Sequence, residues 1–147
     1  MRNKILLVVL ILLFVQQGVG QGSMHKETLE IERVVKGYIE NFFLNEYDKM
    51  EVFLHERLAK RGVNSDGELS PDYSRKAFKE LMGTKPAMAL KYQKNLVKEI
   101  KINNRAATAI LETGYPKIRW KEYIHLVKLD GKWIILDVAW CFDKINN

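Results

Sequence analysis

Two apolar-rich runs near the C-terminus flank the pair Asp130-Gly131, with almost nothing else between them. An Asp-Gly pair supplies the two positive-φ positions of a type I′ turn, whose twist matches that of the flanking strands. The pattern therefore predicts a β-hairpin over residues 122–142, with Leu126 opposite Ile135.

This register divides the hairpin into two faces, because successive side chains of a strand point in opposite directions. The first face would carry Trp120, Glu122, Ile124, Leu126, Lys128, Trp133, Ile135, Asp137, Ala139 and Cys141. The second face would carry Tyr123, His125, Val127, Ile134, Leu136, Val138 and Trp140. Both faces are too apolar for exposure to water, so we expect helices to cover one and a partner or another chain to cover the other. A turn longer by one residue would exchange the two faces.

Apolar residues at three- and four-residue spacing predict helices ahead of the strands. The first runs from about Thr28 to Leu44, with Gly37 inside it at a position where another side chain should pack closely. The second is capped by Asn45 and ends near Lys60. After a turn-rich loop at residues 61–69, the third begins at Ser70-Pro71 and closes at Gly83.

Beyond Pro86 the pattern changes from helices to strands. The predicted strands are Leu96–Ile102, Ala106–Thr113, Ile118–Leu129 and Lys132–Phe142, each separated from the next by a turn signal. Three helices followed by an antiparallel meander predict an α+β fold in which the helices cover one face of the sheet.

The N-terminal residues have the three parts of a secretory signal. Arg2 and Lys4 precede an apolar run at residues 5–15, and the small residues Gly18 and Gly20 follow it. A membrane span needs about 20 apolar residues, so the run favours a cleaved signal peptide over residues 1–20 rather than an uncleaved anchor. We expect the mature protein to begin at Gln21 and to be periplasmic or secreted, with no membrane span.

The rest of the chain fits one domain, with a polar lead over residues 21–26 and the domain over residues 27–147. Loss of Arg2 and Lys4 lowers the formal charge from +6 to +4. The basic residues are spread along the chain without an arginine-rich run, so we do not expect nucleic-acid binding. Cys141 is the only cysteine, which excludes an intramolecular disulfide.

Four segments carry a resemblance to a known family: ERVVKGYIENF, EYDKMEVFLHERLAKR, KEIKINNRAATAIL and EYIHLVKLDGKWIILDVAW. From about Glu27 to Phe142 the chain resembles the putative lumazine-binding family of the nuclear transport factor 2-like superfamily. The resemblance implies a cone-shaped α+β roll, with a curved sheet around the first helix, a pocket at the open end and dimerisation through the outer sheet face. The superfamily includes ketosteroid isomerases, dehydratases and non-catalytic binding modules, so the fold does not decide the function.

Two carboxylates, those of Glu122 and Asp137, fall on the first hairpin face. Inside an apolar pocket either could act as a general base or as a hydrogen-bond partner of a ligand. His55, at the inner edge of the predicted second helix, is the third catalytic candidate. The alternative is that both acids are solvated and that His55 is a surface or capping residue.

Several aromatic residues are candidates for the wall of a pocket that suits a flat, partly polar ligand. The residues predicted to bind a ligand are Tyr38, Phe42, Phe53, His55, Trp120, Glu122 and Asp137. The aromatic ones are equally what the core of a domain of this size needs.

The second hairpin face is the candidate surface for a homodimer. Its predicted contact residues are Tyr123, Val127, Leu136, Val138 and Trp140. The three histidines have no spacing typical of a ligand set, so neither a metal nor a cofactor is expected.

Three functions remain open. We favour an exported, non-catalytic module that binds a small hydrophobic or aromatic molecule, because no complete catalytic constellation can be assembled. The second is an isomerase- or dehydratase-like enzyme with Asp137 or Glu122 as general base. The third is an accessory dimer whose cone is filled by its own side chains. The size and lining of the cavity would discriminate among them.

Overall fold

The computed structural model describes the backbone of residues 2–143 and the side chains of residues 22–142. Its elements are α1 (Arg2–Leu44), α2 (Tyr47–Met50), a 3₁₀ turn (Glu51–Phe53), β1 (Leu54–Val63), α3 (Arg75–Gly83), a second 3₁₀ turn (Leu90–Tyr92), β2 (Leu96–Asn103), β3 (Ala106–Tyr115), β4 (Ile118–Leu129) and β5 (Lys132–Asp143). The chain divides into two compact units, residues 1–30 and residues 31–147. The second unit contains all the strands.

The first unit is the N-terminal part of α1. The side chains of the predicted signal peptide, residues 1–20, lie outside the described residues, so cleavage and export stay predictions. The predicted polar lead, residues 21–26, is helical and belongs to α1. Among the described residues, none of the helices combines the length and apolarity needed to cross a membrane.

The second unit is built on a five-stranded sheet with the strand order β1-β5-β4-β3-β2. β1 runs parallel to β5, and the other neighbours are antiparallel. The four predicted strands are present within two residues of their expected bounds. The helices pack against one face, which we call the inner face, and the other is the outer face. The predicted α+β fold is confirmed.

The predicted second helix, from Asn45 to Lys60, is wrong. Asn45 has a φ of 60° and follows the last residue of α1, only residues 47–53 are helical, and β1 begins at Leu54. Leu58, Lys60 and Gly62 are buried in alternation along β1. A lysine at an inward position disguised this two-residue period, because a lysine ordinarily marks a solvated face.

The predicted start of the third helix at Ser70-Pro71 is also wrong. The helix α3 begins at Arg75, and its cap is Ser74, whose Oγ accepts a hydrogen bond from the backbone N–H of Ala77 at 3.3 Å. Ser70 binds to β1 instead: its Oγ accepts a hydrogen bond from the N–H of Gly62 at 3.0 Å. The predicted end of the helix at Gly83 is confirmed.

The turn of the closing hairpin is confirmed, with positive φ at both Asp130 (47°) and Gly131 (77°). The predicted pairing of Leu126 with Ile135 is confirmed as well. Beyond this pair β5 contains a bulge, so that the next paired residue of β4, His125, faces Asp137. A bulge adds one residue to one strand and exchanges the faces of everything that follows.

The register predicted beyond the bulge is therefore wrong. Glu122 pairs with Trp140 rather than with Ala139, and Ile124 pairs with Val138 rather than with Asp137. Val138 and Trp140 consequently join the inner face, whereas Asp137 lies on the outer face. There the Asp137 Oδ2 is 3.0 Å from the Nδ1 of the exposed His125.

Candidate functional site

A cavity of about 520 Å³ lies in the second unit, between the inner face and the helices. Its aromatic lining comprises Phe42, Phe43, Tyr73, Phe78, Tyr115, Trp120, Trp140 and Phe142. Lys60, Asn64 and Lys85 are the polar residues among the remaining lining side chains, and no carboxylate belongs to the described lining. The volume lies in the range typical of small-molecule sites, and such sites are usually apolar with a few placed polar groups.

A buried ionic cluster lies behind the cavity wall, to which it contributes Lys60 and Trp120. Lys60 on β1 donates hydrogen bonds from its Nζ to Glu122 Oε1 at 2.5 Å and to Tyr38 Oη at 2.6 Å. Tyr38, from α1, donates in turn to Glu122 Oε2 at 2.9 Å, and Trp120 donates from Nε1 to Glu122 Oε1 at 3.0 Å. Glu122 is 0% exposed and Lys60 is 7% exposed. Three donors thus compensate a carboxylate that has lost all contact with water.

The titration of this cluster follows from its burial. Burial lowers the pKa of the Lys60 ammonium, and the neighbouring Glu122 charge opposes that change. Burial and the negative charge of Glu122 raise the pKa of Tyr38 well above its ordinary value. Tyr38 therefore stays a neutral phenol near pH 7 and can donate its proton to the carboxylate throughout the physiological range.

Lys60 also faces aromatic rings. Its Nζ lies 5.4 Å from the ring centroid of Phe78 and 5.9 Å from that of Phe42. These two rings stack on each other with centroids 5.1 Å apart. The cavity therefore presents flat π surfaces next to a fixed positive charge, an arrangement in which an ammonium is stabilised by the ring quadrupoles.

A second lysine, Lys85, lies at the mouth of the cavity with much of its side chain exposed. Its Nζ is 5.3 Å from the ring centroid of Phe42. Partial burial, followed by the positive charge of Lys60, lowers the pKa of Lys85. Within residues 22–142 no carboxylate forms a salt bridge with it.

The position of Lys85 is set by the end of α1. Asn45 donates from its side-chain amide to the carbonyl oxygen of Lys85 at 3.2 Å. Three residues further on, the N–H of Met88 donates to the carbonyl oxygen of Phe43 at 2.6 Å. The loop that carries the second lysine is thereby fastened to the helix that supplies Phe42 and Phe43 to the cavity.

Trp140 forms another part of the wall and depends on a glycine of the neighbouring strand. A Cβ atom added at Gly62 would lie 2.1 Å from the Trp140 carbonyl oxygen and 2.3 Å from Cδ2 of its indole. Only a residue without a side chain lets the two strands approach and the indole lie over β1. The indole N–H is buried and has no hydrogen-bond partner among the described residues.

The structure brings four of the seven predicted ligand-binding residues together. Phe42 and Trp120 line the cavity, and Tyr38 and Glu122 belong to the buried cluster behind its wall. The other three, Phe53, His55 and Asp137, are elsewhere. Phe53 packs on Gly37, where an added Cβ would lie 2.4 Å from its ring, as the position of that glycine predicted. His55 lies on β1, where its Nδ1 accepts a hydrogen bond from the N–H of Arg57.

Sequence reasoning missed Lys60, Lys85 and Trp140. The first was placed only at the end of a predicted helix, where the structure has β1, and the third was assigned to the outer face. A search for an isolated lysine within an apolar strand period would have found Lys60. No local signal marks Lys85, because its place depends on contacts with α1 that are distant in sequence.

The predicted dimer surface is altered by the same bulge. Val138 is fully buried and Trp140 lines the cavity, so both are excluded from an outer-face contact. Tyr123, which is 45% exposed, and Val127 remain on the outer face, and Leu136 lies at the bulge. Among the described residues no group of three His, Cys, Asp or Glu side chains is arranged to hold a metal ion.

Comparisons with known proteins agree with this fold. The model of a family described as "Putative lumazine-binding" matches residues 26–141. The chain is similar to a nuclear transport factor 2-like protein of unknown function from Silicibacter pomeroyi, with 16% identity, coverage of 82% of this chain and 98% of that chain, and a TM-score of 0.73. It is also similar to a nuclear transport factor 2-like protein of unknown function from Shewanella baltica, with 19% identity, coverage of 80% of this chain and 94% of that chain, and a TM-score of 0.71. A ketosteroid isomerase-like protein from Erwinia carotovora atroseptica has 12% identity, with coverage of 78% of this chain and 94% of that chain, and a TM-score of 0.61. A search of curated proteins found no match.

Proposed function

This chain belongs to the putative lumazine-binding family of the nuclear transport factor 2-like superfamily, and we propose that it is a non-catalytic module that binds a small, flat, hydrophobic or aromatic molecule. The observation that carries the proposal is the cavity of about 520 Å³ with eight aromatic residues in its wall. Offset stacking on such walls stabilises an aromatic ligand beyond the effect of burial alone. A cone filled by its own side chains would leave no such space.

The positions of the acidic and basic candidates favour binding over catalysis. Glu122 lies behind the cavity wall, and both of its oxygens already accept hydrogen bonds, from Lys60, Tyr38 and Trp120. A general base must instead be within hydrogen-bond reach of the proton that it removes. His55 and Asp137 are not part of the cavity lining. The enzymatic alternative therefore lacks a carboxylate or imidazole base that faces the cavity among the described residues.

Lumazine, the ligand class in the name of the family, is a suitable first probe because it is flat and fluorescent. We expect saturable binding that changes its fluorescence polarisation. Ile118→Trp would narrow the cavity that Ile118 lines and weaken binding by about tenfold or more, corresponding to about 1.4 kcal/mol. Leu90→Trp is the matched control, because Leu90 is exposed and does not line the cavity.

Native mass spectrometry of the purified protein would extend the test to ligands that no panel contains. A co-purified small molecule that is absent from Ile118→Trp would support the proposal. The proposal is wrong if the native protein carries no molecule and neither lumazine nor a set of flat aromatic compounds binds saturably. Turnover of a bound compound that is lost in Glu122→Gln would replace the binding module with the enzymatic alternative.

We also propose that the module acts outside the cytoplasm, because residues 1–20 have the charged, apolar and small-residue parts of a signal peptide. N-terminal sequencing of material from the periplasm or the medium should begin at Gln21. Recovery of the chain only from the cytoplasm with residues 2–20 intact would contradict export.

A further inference from the structure

We propose that the cavity selects aromatic molecules that carry an anionic group such as a carboxylate, with the aromatic part on the stacked rings of Phe42 and Phe78 and the anion at Lys85, near Lys60. This inference rests on the proposed binding function and specifies the chemical class of its ligand.

The charged side chains that line the cavity are all basic among the described residues. Two lysines line it, and no aspartate or glutamate does so among the described residues. The charge of Lys60 is balanced by Glu122, at 2.5 Å, but that of Lys85 is not balanced by any carboxylate of residues 22–142. A neutral ligand would leave this positive charge without a counter-charge, whereas an anionic ligand would form an ion pair with it in a site partly shielded from water.

The two lysines have different tasks in this arrangement. Lys60 is buried and is held by Tyr38 and Glu122, which leaves one of its three ammonium protons without a partner in the cluster. Lys85 is exposed at the mouth, where it can meet an incoming anion and lose little hydration. Partial burial, followed by the positive charge of Lys60, lowers the pKa of Lys85, so the two ammonium groups repel each other electrostatically.

The stacked rings and Lys85 are also placed together. Lys85 Nζ is 5.3 Å from the ring centroid of Phe42, and Phe42 is stacked on Phe78. A planar ligand in contact with these rings would therefore lie close to the ammonium. An aromatic acid satisfies both features, because its ring and its carboxylate lie in one plane and only a few ångströms apart.

The test compares two ligands of nearly the same shape, 2-naphthoate and 2-naphthamide, by titration calorimetry at low and high salt. We expect the acid to bind about tenfold more tightly than the amide at low salt. The advantage should shrink at high salt, because exposed charges are screened by mobile ions. An amide that binds as tightly as the acid would overturn the inference and leave the binding module intact.

Lys85→Gln should weaken binding of the acid much more than binding of the amide, and so remove most of the preference for the acid. Lys91→Gln is the matched control, since Lys91 also lies over an aromatic ring, with its Nζ 4.9 Å from the centroid of Tyr92, but does not line the cavity. Equal weakening of both ligands by Lys85→Gln would mean that this lysine only supports the shape of the mouth, and it would overturn the inference.

The contribution of Lys60 is measured in the double variant Lys60→Met, Glu122→Gln, which removes both members of the buried pair and so leaves no uncompensated charge. We expect this double variant, which keeps Lys85, to prefer the acid less strongly than the wild type does. An unchanged preference in this variant would assign the anion to Lys85 alone and overturn the role given to Lys60. If neither naphthyl compound nor lumazine binds, and no small molecule co-purifies with the protein, the binding module itself is rejected together with this inference.

Discussion

At the scale of single residues, the buried carboxylate of Glu122 is the common acceptor of the polar cluster. It is tolerated because an ammonium, a phenol and an indole donate to it at distances between 2.5 and 3.0 Å. Removal of one partner leaves part of the carboxylate unpaired, and such a loss typically costs more than the interaction itself contributes. Substitutions at Tyr38 and Lys60 are therefore tests of stability as well as of binding.

Tyr38→Phe removes a hydroxyl group that donates to Glu122 and accepts from Lys60. We expect the variant to be less stable than the wild type by about 1–3 kcal/mol at pH 7. The difference should become smaller above pH 10, the ordinary pKa of tyrosine. Since the folded-state pKa of Tyr38 is raised, its contribution is complete below the unfolded pKa and is lost as the pH rises above it.

Urea unfolding of both proteins between pH 7 and pH 11 measures this difference. Tyr92→Phe is the control, because Tyr92 is exposed and has no hydrogen bond to a carboxylate among the described contacts. A constant gap between Tyr38→Phe and the wild type across this range would show that Tyr38 ionises normally in the folded state.

Gly62→Ala tests the close approach of β1 to Trp140. The new methyl group would lie 2.1 Å from a backbone oxygen that cannot move aside as a flexible side chain could. We expect a loss of about 1–3 kcal/mol of stability, as for other overpacked sites, together with weaker ligand binding. The control is Gly83→Ala, where nothing lies within 4 Å of the added Cβ. Equal stability of the two variants in urea would refute this account of the wall.

At the scale of elements, the closing hairpin could be predicted because its turn is encoded by two adjacent residues. Asp130 and Gly131 fix the pairing of β4 and β5 as far as Leu126 and Ile135. The bulge that follows was not predicted, since no turn residue or glycine marks it and residues 133–136 are all apolar, so that they fit either face of the sheet. Its effect on the site is large, because it brings Trp140 into the cavity and removes Asp137.

The strand β1 was missed for a different reason. Its pairing with β5 is parallel and joins residues about eighty positions apart in sequence, for example Lys60 and Val138. Local spacing does not contain such information, and the apolar residues at 50–58 also fit a helix. The residues of the site were consequently predicted only in part. Local patterns identified Tyr38, Phe42, Trp120 and Glu122. Lys60 was hidden by the missed strand, and Lys85 and Trp140 depended on tertiary contacts.

Gly131→Ala tests how much of the hairpin depends on its turn. Gly131 has a φ of 77°, in the left-handed region that favours glycine, and there is open space around it. The cost should therefore come from backbone strain alone, about 1–2 kcal/mol, without a change in ligand affinity. Gly83→Ala again serves as the control for a glycine without positive φ. Unchanged stability in urea would mean that the cross-strand pairs, not the turn, determine the register.

At the scale of the whole molecule, the question is what covers the outer face of the sheet. Tyr123 is 45% exposed there, and Val127 and Ile134 are half-buried neighbours across the hairpin. The bulge leaves this surface less apolar than the sequence predicted, because it contributes Asp137 and Ala139 in place of Val138 and Trp140. The apolar part is thus concentrated around Tyr123 and the turn-proximal half of the hairpin.

We predict that the chain forms a homodimer in which this outer face meets its copy about a twofold axis. Tyr123→Glu combined with Val127→Glu should then yield monomers, because each copy would bring two negative charges into a contact where they repel one another and lose hydration. Light scattering coupled to size exclusion measures the mass directly. Leu90→Glu is the control, since Leu90 is exposed but lies outside the sheet. Trp140→Glu is unsuitable for this purpose, because it would damage the cavity whether or not a dimer forms.

A wild type that elutes with the mass of a single chain, or a double variant that keeps twice that mass, would refute the outer-face dimer. Retention of lumazine or naphthoate binding by a monomeric double variant would further show that each copy carries a complete site.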